Sequence, residues 1–174
     1  CLDKPRTKEI LEYNGIKTAP FHVFSRADER LNPRVMFPMI LKPSHEGSSM
    51  GINFDNVVHD EGGMRRKLAK MLSTYKQPIL GEAFIDGREF TVGILGNFRP
   101  PNEEPSVLPI LEVDFSRFPK ELGNVLGQKA KTVFDSSKNY VCPARIPVDL
   151  GTRIEKVSKR IFRVLDCKDF ARLD

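Results

Sequence analysis

The chain has 174 residues, of which 40% are hydrophobic and 29% charged, and a formal net charge of +5. A chain this long can bury roughly 70% of its unfolded surface, so it needs no disulfide or metal staple to fold, and this composition excludes disorder and a collagen-like repeat. The apolar runs, such as Val107 to Leu111, are far too short for a membrane span, Cys1 to Lys8 is polar rather than a leader, and three cysteines without a CxxC pair fit a reducing compartment.

Asp3 is placed as an N-cap for a short amphipathic helix carrying Ile10 and Leu11 and stopping at Asn14-Gly15. Phe21 to Phe24, Met36 to Lys42 and Ile52 to Phe54 read as strands. Asp60 opens a second helix with Met64, Leu68, Met71 and Leu72 on one face. Ile79 to Phe84 and Glu89 to Leu95 flank an Asp86-Gly87 turn and read as a hairpin-like pair. Arg99 to Ser106 is a proline-rich loop, Val107 to Val113 a strand, Ser116 to Lys138 a long loop and Tyr140 to Cys142 a short strand. Gly151 to Leu165 is predicted as a helix with Ile154, Val157, Ile161, Val164 and Leu165 inward, and Asp169 to Asp174 as a closing strand. Helices separated by antiparallel strands predict an α+β fold.

Three stretches carry chemistry. In Lys42-Pro-Ser-His-Glu46-Gly47-Ser48-Ser49-Met-Gly51 a strand delivers a lysine to a turn whose glycines permit left-handed backbone. Amide groups and hydroxyls can then converge on an anion. The motif is neither GxxxxGK[ST] nor GxGxxG, and alone it reads as an ordinary hairpin loop. Glu82 and Glu89 flank Ala83-Phe84-Ile85-Asp86-Gly87-Arg88, where carboxylates and free backbone could hold an amine, paired hydroxyls and a flat heterocycle. Arg172 and Asp174 point to one face of a strand, an oxyanion donor beside a hard-cation ligand, or simply an ion pair. Arg65, Arg66, Lys67 and Lys70 read as a solvated helix face rather than a nucleic-acid patch, and Cys142 as a buried thiol.

Taken together, Asp3-Lys4, the Lys42–Gly51 motif, Glu82 followed by Gly87-x-Glu89-Phe-Thr-Val-x-Ile-Leu-Gly96, Tyr140-x-Cys-Pro-Ala144 and Arg172-x-Asp174 resemble the D-alanine–D-alanine ligases of the ATP-grasp superfamily. The resemblance runs from Asp3 to Asp174 and implies two α+β lobes around ATP: residues 1–85 as the small central subdomain and 86–174 as part of the C-terminal one. It implies that Lys4 and Lys42 contact the phosphates and that Glu46, Gly47, Ser48, Ser49 and Gly51 form the loop over them, with Ser48 on the substrate side. Glu82 with Ala83, Phe84 and Ile85 would hold adenine, and Glu89 the ribose. Arg172 would steady the acyl phosphate and Asp174 would ligate magnesium. Of Lys129, Lys131 and Lys138, Lys131 is favoured as a further phosphate lysine, because position 132 is Thr where the family has a lysine followed by an aromatic.

The family's N-terminal domain and its Glu-x-Asn metal ligands fall outside this sequence, so the chain is read as a fragment, expected to be inactive alone. The implied partners are ATP and D-alanine, with no nucleic acid and no membrane, and a homodimer is possible for the full-length protein. The implied compartment is the cytoplasm. The alternatives are an ATP-grasp ligase for another acid or amine, and a nucleotide-binding fragment without turnover.

Overall fold

The computed structural model describes residues 2–99, 103–134 and 136–174, and they fall into two compact units. The first comprises residues 2–9, 17–86 and 118–134; the second comprises 10–16, 87–99, 103–117 and 136–174. One change-over falls between Asp86 and Gly87, while 118–134 groups with the first unit and 10–16 with the second. Among the described residues no helix is long and apolar enough to cross a membrane.

The first unit holds the start of α1 (Lys4–Tyr13), which is capped by Asp3: its Oδ1 accepts from Arg6 N at 2.9 Å. Its sheet has the order β1-β4-β2-β3, antiparallel throughout, from β1 (Phe21–Phe24), β2 (Met39–Pro43), β3 (Val57–Val58) and β4 (Ile79–Ala83). Alternation divides the sheet into two chemically different faces. Phe24, Met39, Leu41, Val58 and Ile79 point one way, against Met64, Leu68 and Met71 of α2 (Glu61–Tyr75). Glu82, Lys42, Leu80, Ile40 and Phe21 occupy the other. The α2 N-cap is Asp60, which accepts from Gly63 N at 2.7 Å, as its sequence position predicts.

The second unit is built around β5 (Glu89–Leu95). One edge of β5 pairs with β6 (Ser106–Val107) and β7 (Leu111–Val113), β7 continues to β8 (Tyr140–Val141), and β9 (Phe170–Leu173) also pairs with β5. Val92 and Ile94, with Leu173 and Ala171 opposite them, pack with Ile110, Ile154 and Phe162. Ile154 and Phe162 come from α4 (Val148–Val164).

Several expectations are corrected. β4 and β5 form no hairpin: β1 and β2 already occupy both edges of β4, so β5 nucleates a different sheet. Val107 to Val113 is two strands, broken around Pro109, which has no N–H for a ladder. Ile52 to Phe54 is not a strand. A 3₁₀ turn covers Phe54–Asn56, and Ile52 O accepts from Gln128 N at 2.8 Å instead. Within the supposed long loop lies α3 (Gln128–Val133). The inward face of α4 centres on Ser158 and Phe162, while Val157 is exposed. Cys142 is exposed rather than buried. The basic cluster on α2 is not simply solvated: Arg65 donates to Ala27 O at 2.7 Å and to Glu29 O, and Lys67 pairs with Asp55 at 2.6 Å. Residues 100–102 of the proline-rich loop lie outside the described residues.

Candidate functional site

In the first unit the charged residues on the polar sheet face interlock. Lys42 and Glu82 are diagonal neighbours on adjacent strands, since Ile40 opposes Glu82 and Leu80 opposes Lys42. Lys42 Nζ lies 2.6 Å from Glu82 Oε1. Lys8, one turn after Lys4 on α1, takes the other oxygen: its Nζ is 2.7 Å from Glu82 Oε2. Burial by itself would push the Glu82 carboxyl up, but the charges of Lys42 and Lys8 and their hydrogen bonds outweigh it and hold the group below the ordinary carboxylate range.

Lys4 Nζ donates to Pro43 O at 2.9 Å and to Glu46 O, so it lies against the backbone that leaves β2. Burial first, and the positive Lys42 second, lower its pKa from the usual lysine value, with Glu46 and Glu82 opposing. The Glu46 carboxylate accepts from Gln77 Nε2 at 2.8 Å. Beyond it, Ser48, Ser49 and Gly51 all have positive φ, at 50°, 58° and 71°. Consecutive left-handed residues curl the backbone into a concave loop. Two anchors hold that loop: Ser49 Oγ donates to Leu126 O at 2.9 Å, and buried Asn56 Nδ2 donates to Gly51 O and Leu41 O, each at 2.8 Å. Gly51 is needed twice over, because a Cβ there would also meet the Tyr75 hydroxyl at 2.5 Å. Lys131 belongs to the same unit, in the last turn of α3.

The strand end after Glu82 has a particular backbone property. Ala83 N donates to Pro20 O and Phe84 N to Pro38 O, both at 2.9 Å. Neither proline has an N–H to return, so neither pair can close a reciprocal ladder bond at this edge. Ile85, next along, is exposed.

In the second unit Glu89, Thr91, Arg172 and Asp174 share the sheet face opposite the α4 core. Thr91 Oγ1 donates to Asp174 Oδ1 at 2.8 Å, and Arg172 Nε lies 3.3 Å from the same oxygen. Arg172 and Asp174 are 58% and 48% exposed. Among the described residues no three His, Cys, Asp or Glu side chains cluster as a metal site. A lone carboxylate suits magnesium only when phosphates supply further oxygens.

The candidate residues thus fall into two sets. Lys4, Lys42, Glu46, the Gly47–Gly51 loop, Glu82, Ala83, Phe84, Ile85 and Lys131 belong to the first unit; Glu89, Arg172 and Asp174 belong to the second. Sequence reasoning missed Lys8, Asn56 and Thr91. Lys8 was detectable in principle, four residues after Lys4 and so on the same helix face. Asn56 and Thr91 carried no such signal.

The paired antiparallel α+β units have the ATP-grasp fold. The D-alanine–D-alanine ligase of Bacillus anthracis superposes on 99% of this chain with a TM-score of 0.69 at 23% identity, the match covering 51% of that structure. The chain belongs to the family described as D-ala D-ala ligase C-terminus, whose model matches residues 10–174. It is 32% identical over 184 residues to a D-alanine–D-alanine ligase of Pelotomaculum thermopropionicum, covering 100% of this chain and 53% of the relative. It is 31% identical over 172 residues to the uncharacterized protein y4sG of Sinorhizobium fredii, covering 99% and 48% respectively. The chain spans about half the length of the curated relatives it matches.

Proposed function

We propose that this chain is the nucleotide-binding part of an ATP-dependent carboxylate–amine ligase that joins two D-alanines in the cytoplasm for a cell-wall precursor. The observation that carries the reading is the Lys42–Glu82–Lys8 cluster beside the left-handed Ser48–Gly51 loop, in a chain of this family. In the first step a D-alanine carboxylate oxygen attacks the γ-phosphorus, the bond to the β–γ bridging oxygen breaks, and ADP leaves an acyl phosphate. In the second, the amine of another D-alanine attacks the acyl carbon, phosphate departs, and the amine loses a proton.

Within this reading Lys4, Lys42 and Lys131 neutralise phosphate charge, and the amides of Gly47, Ser48, Ser49 and Gly51, with Glu46 at the entry, shape the loop above it. Ser48 Oγ faces the substrate side. Glu82 and the Ala83 and Phe84 carbonyls accept from an exocyclic amine, Ile85 covers the ring, and Glu89 accepts from the ribose hydroxyls. Arg172 stabilises the acyl phosphate and the tetrahedral adduct. Asp174, oriented by Thr91, would ligate magnesium, and the metal would add charge neutralisation at the phosphates. The residues named act by positioning and charge. A full-length homodimer belongs to the same proposal.

The test is phosphate release from ATP with D-alanine and magnesium. It uses a chimera in which the remaining half of the Pelotomaculum relative completes this chain. Turnover that falls at least about a hundredfold in Lys42→Met and Arg172→Met supports the reading; equal turnover in the variants overturns it. A second acceptor class rests on one feature of the sequence: with Lys131 read as the phosphate lysine, Thr132 follows it where the resemblance implies an aromatic. A panel of amino acids in the same assay decides between D-alanine and another acid or amine.

A further inference from the structure

The Glu82 carboxylate carries two cations that differ in how they are held. Lys8 Nζ bonds Oε2 at 2.7 Å, donates to Thr18 Oγ1 at 2.5 Å and lies 5.1 Å from the centroid of the Phe21 ring; its side chain is 9% exposed. Lys42 Nζ bonds Oε1 at 2.6 Å, and its side chain is 24% exposed. One lysine is fixed by three contacts in a dry position, while the other reaches the same carboxylate from a wetter one.

A nearly buried carboxylate stripped of its cations is strongly unfavourable, so Glu82 cannot release both lysines at once. It can release one. With both in place the group of three carries a surplus positive charge; with Lys42 turned to an anion, Lys8 and Glu82 still balance. Lys4, on the same helix, senses both Lys42 and Glu82 but places its own ammonium on Pro43 O and Glu46 O, so it does not substitute for Lys8. From β1, the residue opposite Glu82 is Phe21, which brings no charge.

We propose that Lys8 is a positioning residue of the nucleotide site: it stays on Glu82 Oε2 as a standing counter-ion. Lys42 is thereby free to leave Oε1 for a phosphate, and Oε1 becomes available to an N–H donor of the bound base. The proposal rests on the reading that this sheet face binds a nucleoside triphosphate. Without Lys8, Lys42 is held on Glu82 unless the carboxyl takes a proton. ATP binding then acquires a proton uptake that the native chain does not have, and affinity rises as pH falls.

The experiment titrates ATP into the 174-residue chain by NMR between pH 5.5 and 8, together with the ¹³C carboxyl signal of Glu82 in the absence of ATP. Lys8→Met is expected to weaken ATP binding about tenfold or more at neutral pH. It should also add a pH slope relative to wild type and move the Glu82 carboxyl titration upward. Lys8→Arg should restore all three, and Lys8→Met/Glu82→Gln should remove the added slope. The double variant strands no carboxylate and leaves only Lys42, the more exposed of the two lysines, without its partner, so it also serves if Lys8→Met folds poorly. If Lys42→Met and Glu82→Gln weaken ATP binding while Lys8→Met leaves affinity, slope and carboxyl titration unchanged, the positioning role is wrong and the nucleotide reading stands. If ATP binds equally to all variants, or to none including wild type, the nucleotide reading falls and the proposal with it.

Discussion

The two units place their candidate site residues Lys42 and Glu82, and Arg172 and Asp174, in opposite environments. In the first, Lys8, Lys42 and Glu82 form a half-buried cluster whose members are each other's partners, backed by a loop pinned through Asn56 and Ser49. In the second, Arg172 and Asp174 stand about half exposed on an open sheet face, tied to one another and to Thr91. Burial makes charges expensive to leave alone, so the first set is preorganised and integral to stability. Exposed charges exchange readily with water, so the second set adds little to stability and depends on a ligand to define it.

The sharpest way to break this contrast is Glu82→Gln. It leaves two lysines facing each other without a carboxylate and should destabilise the chain by about 3 kcal/mol in urea melts. An effect below about 0.5 kcal/mol would show the cluster to be solvated after all. The same group sets an acid dependence. Its carboxyl is held below the ordinary range, so its contribution is present above that range and is lost as pH falls through the lowered value. Wild-type stability should therefore decline more steeply with acidification than that of Glu82→Gln, as measured by Tm against pH from neutral down to about pH 3.

Asn56→Ala should cost about 2 kcal/mol, because the Leu41 and Gly51 carbonyls lose their donor in a buried place. Hydrogen exchange should quicken at residues 47–52 and not along β5. Exchange that quickened equally in both units would mean that the loop anchor is not local.

Glycines sharpen the comparison further. Gly51→Ala forces a side chain into φ +71° and toward Tyr75, and should cost about 1–2 kcal/mol. Gly93→Ala meets the end of the flexible Leu108 side chain without a positive φ and should cost less than about 1 kcal/mol. Chemical denaturation of the pair checks the order.

The smallest effect belongs to Asp174→Asn, expected to shift stability by less than about 0.5 kcal/mol while abolishing any magnesium dependence of ATP binding. A larger loss of stability would place Asp174 among the structural residues.

Local sequence determined the elements that depend on near neighbours. Asp3 and Asp60 were legible as caps because capping is a contact over three residues, and Met64, Leu68 and Met71 as a buried stripe because their spacing repeats every helical turn. The Lys42–Gly51 motif by itself read as an ordinary hairpin loop and became legible only through its order and spacing with Asp3-Lys4, Glu82, Glu89 and Arg172-x-Asp174. Partnership across distance was decided by tertiary structure alone. Whether β5 pairs with β4 depends on which edges β1 and β2 have already taken, and nothing in residues 79–95 encodes that. Lys42, Glu82 and Lys8 are separated by tens of residues, and only antiparallel register with a helix laid against it brings two ammonium groups to one carboxylate. Residue type specifies what a side chain can donate or accept; burial and register decide which partner it meets and how strongly the charge is felt.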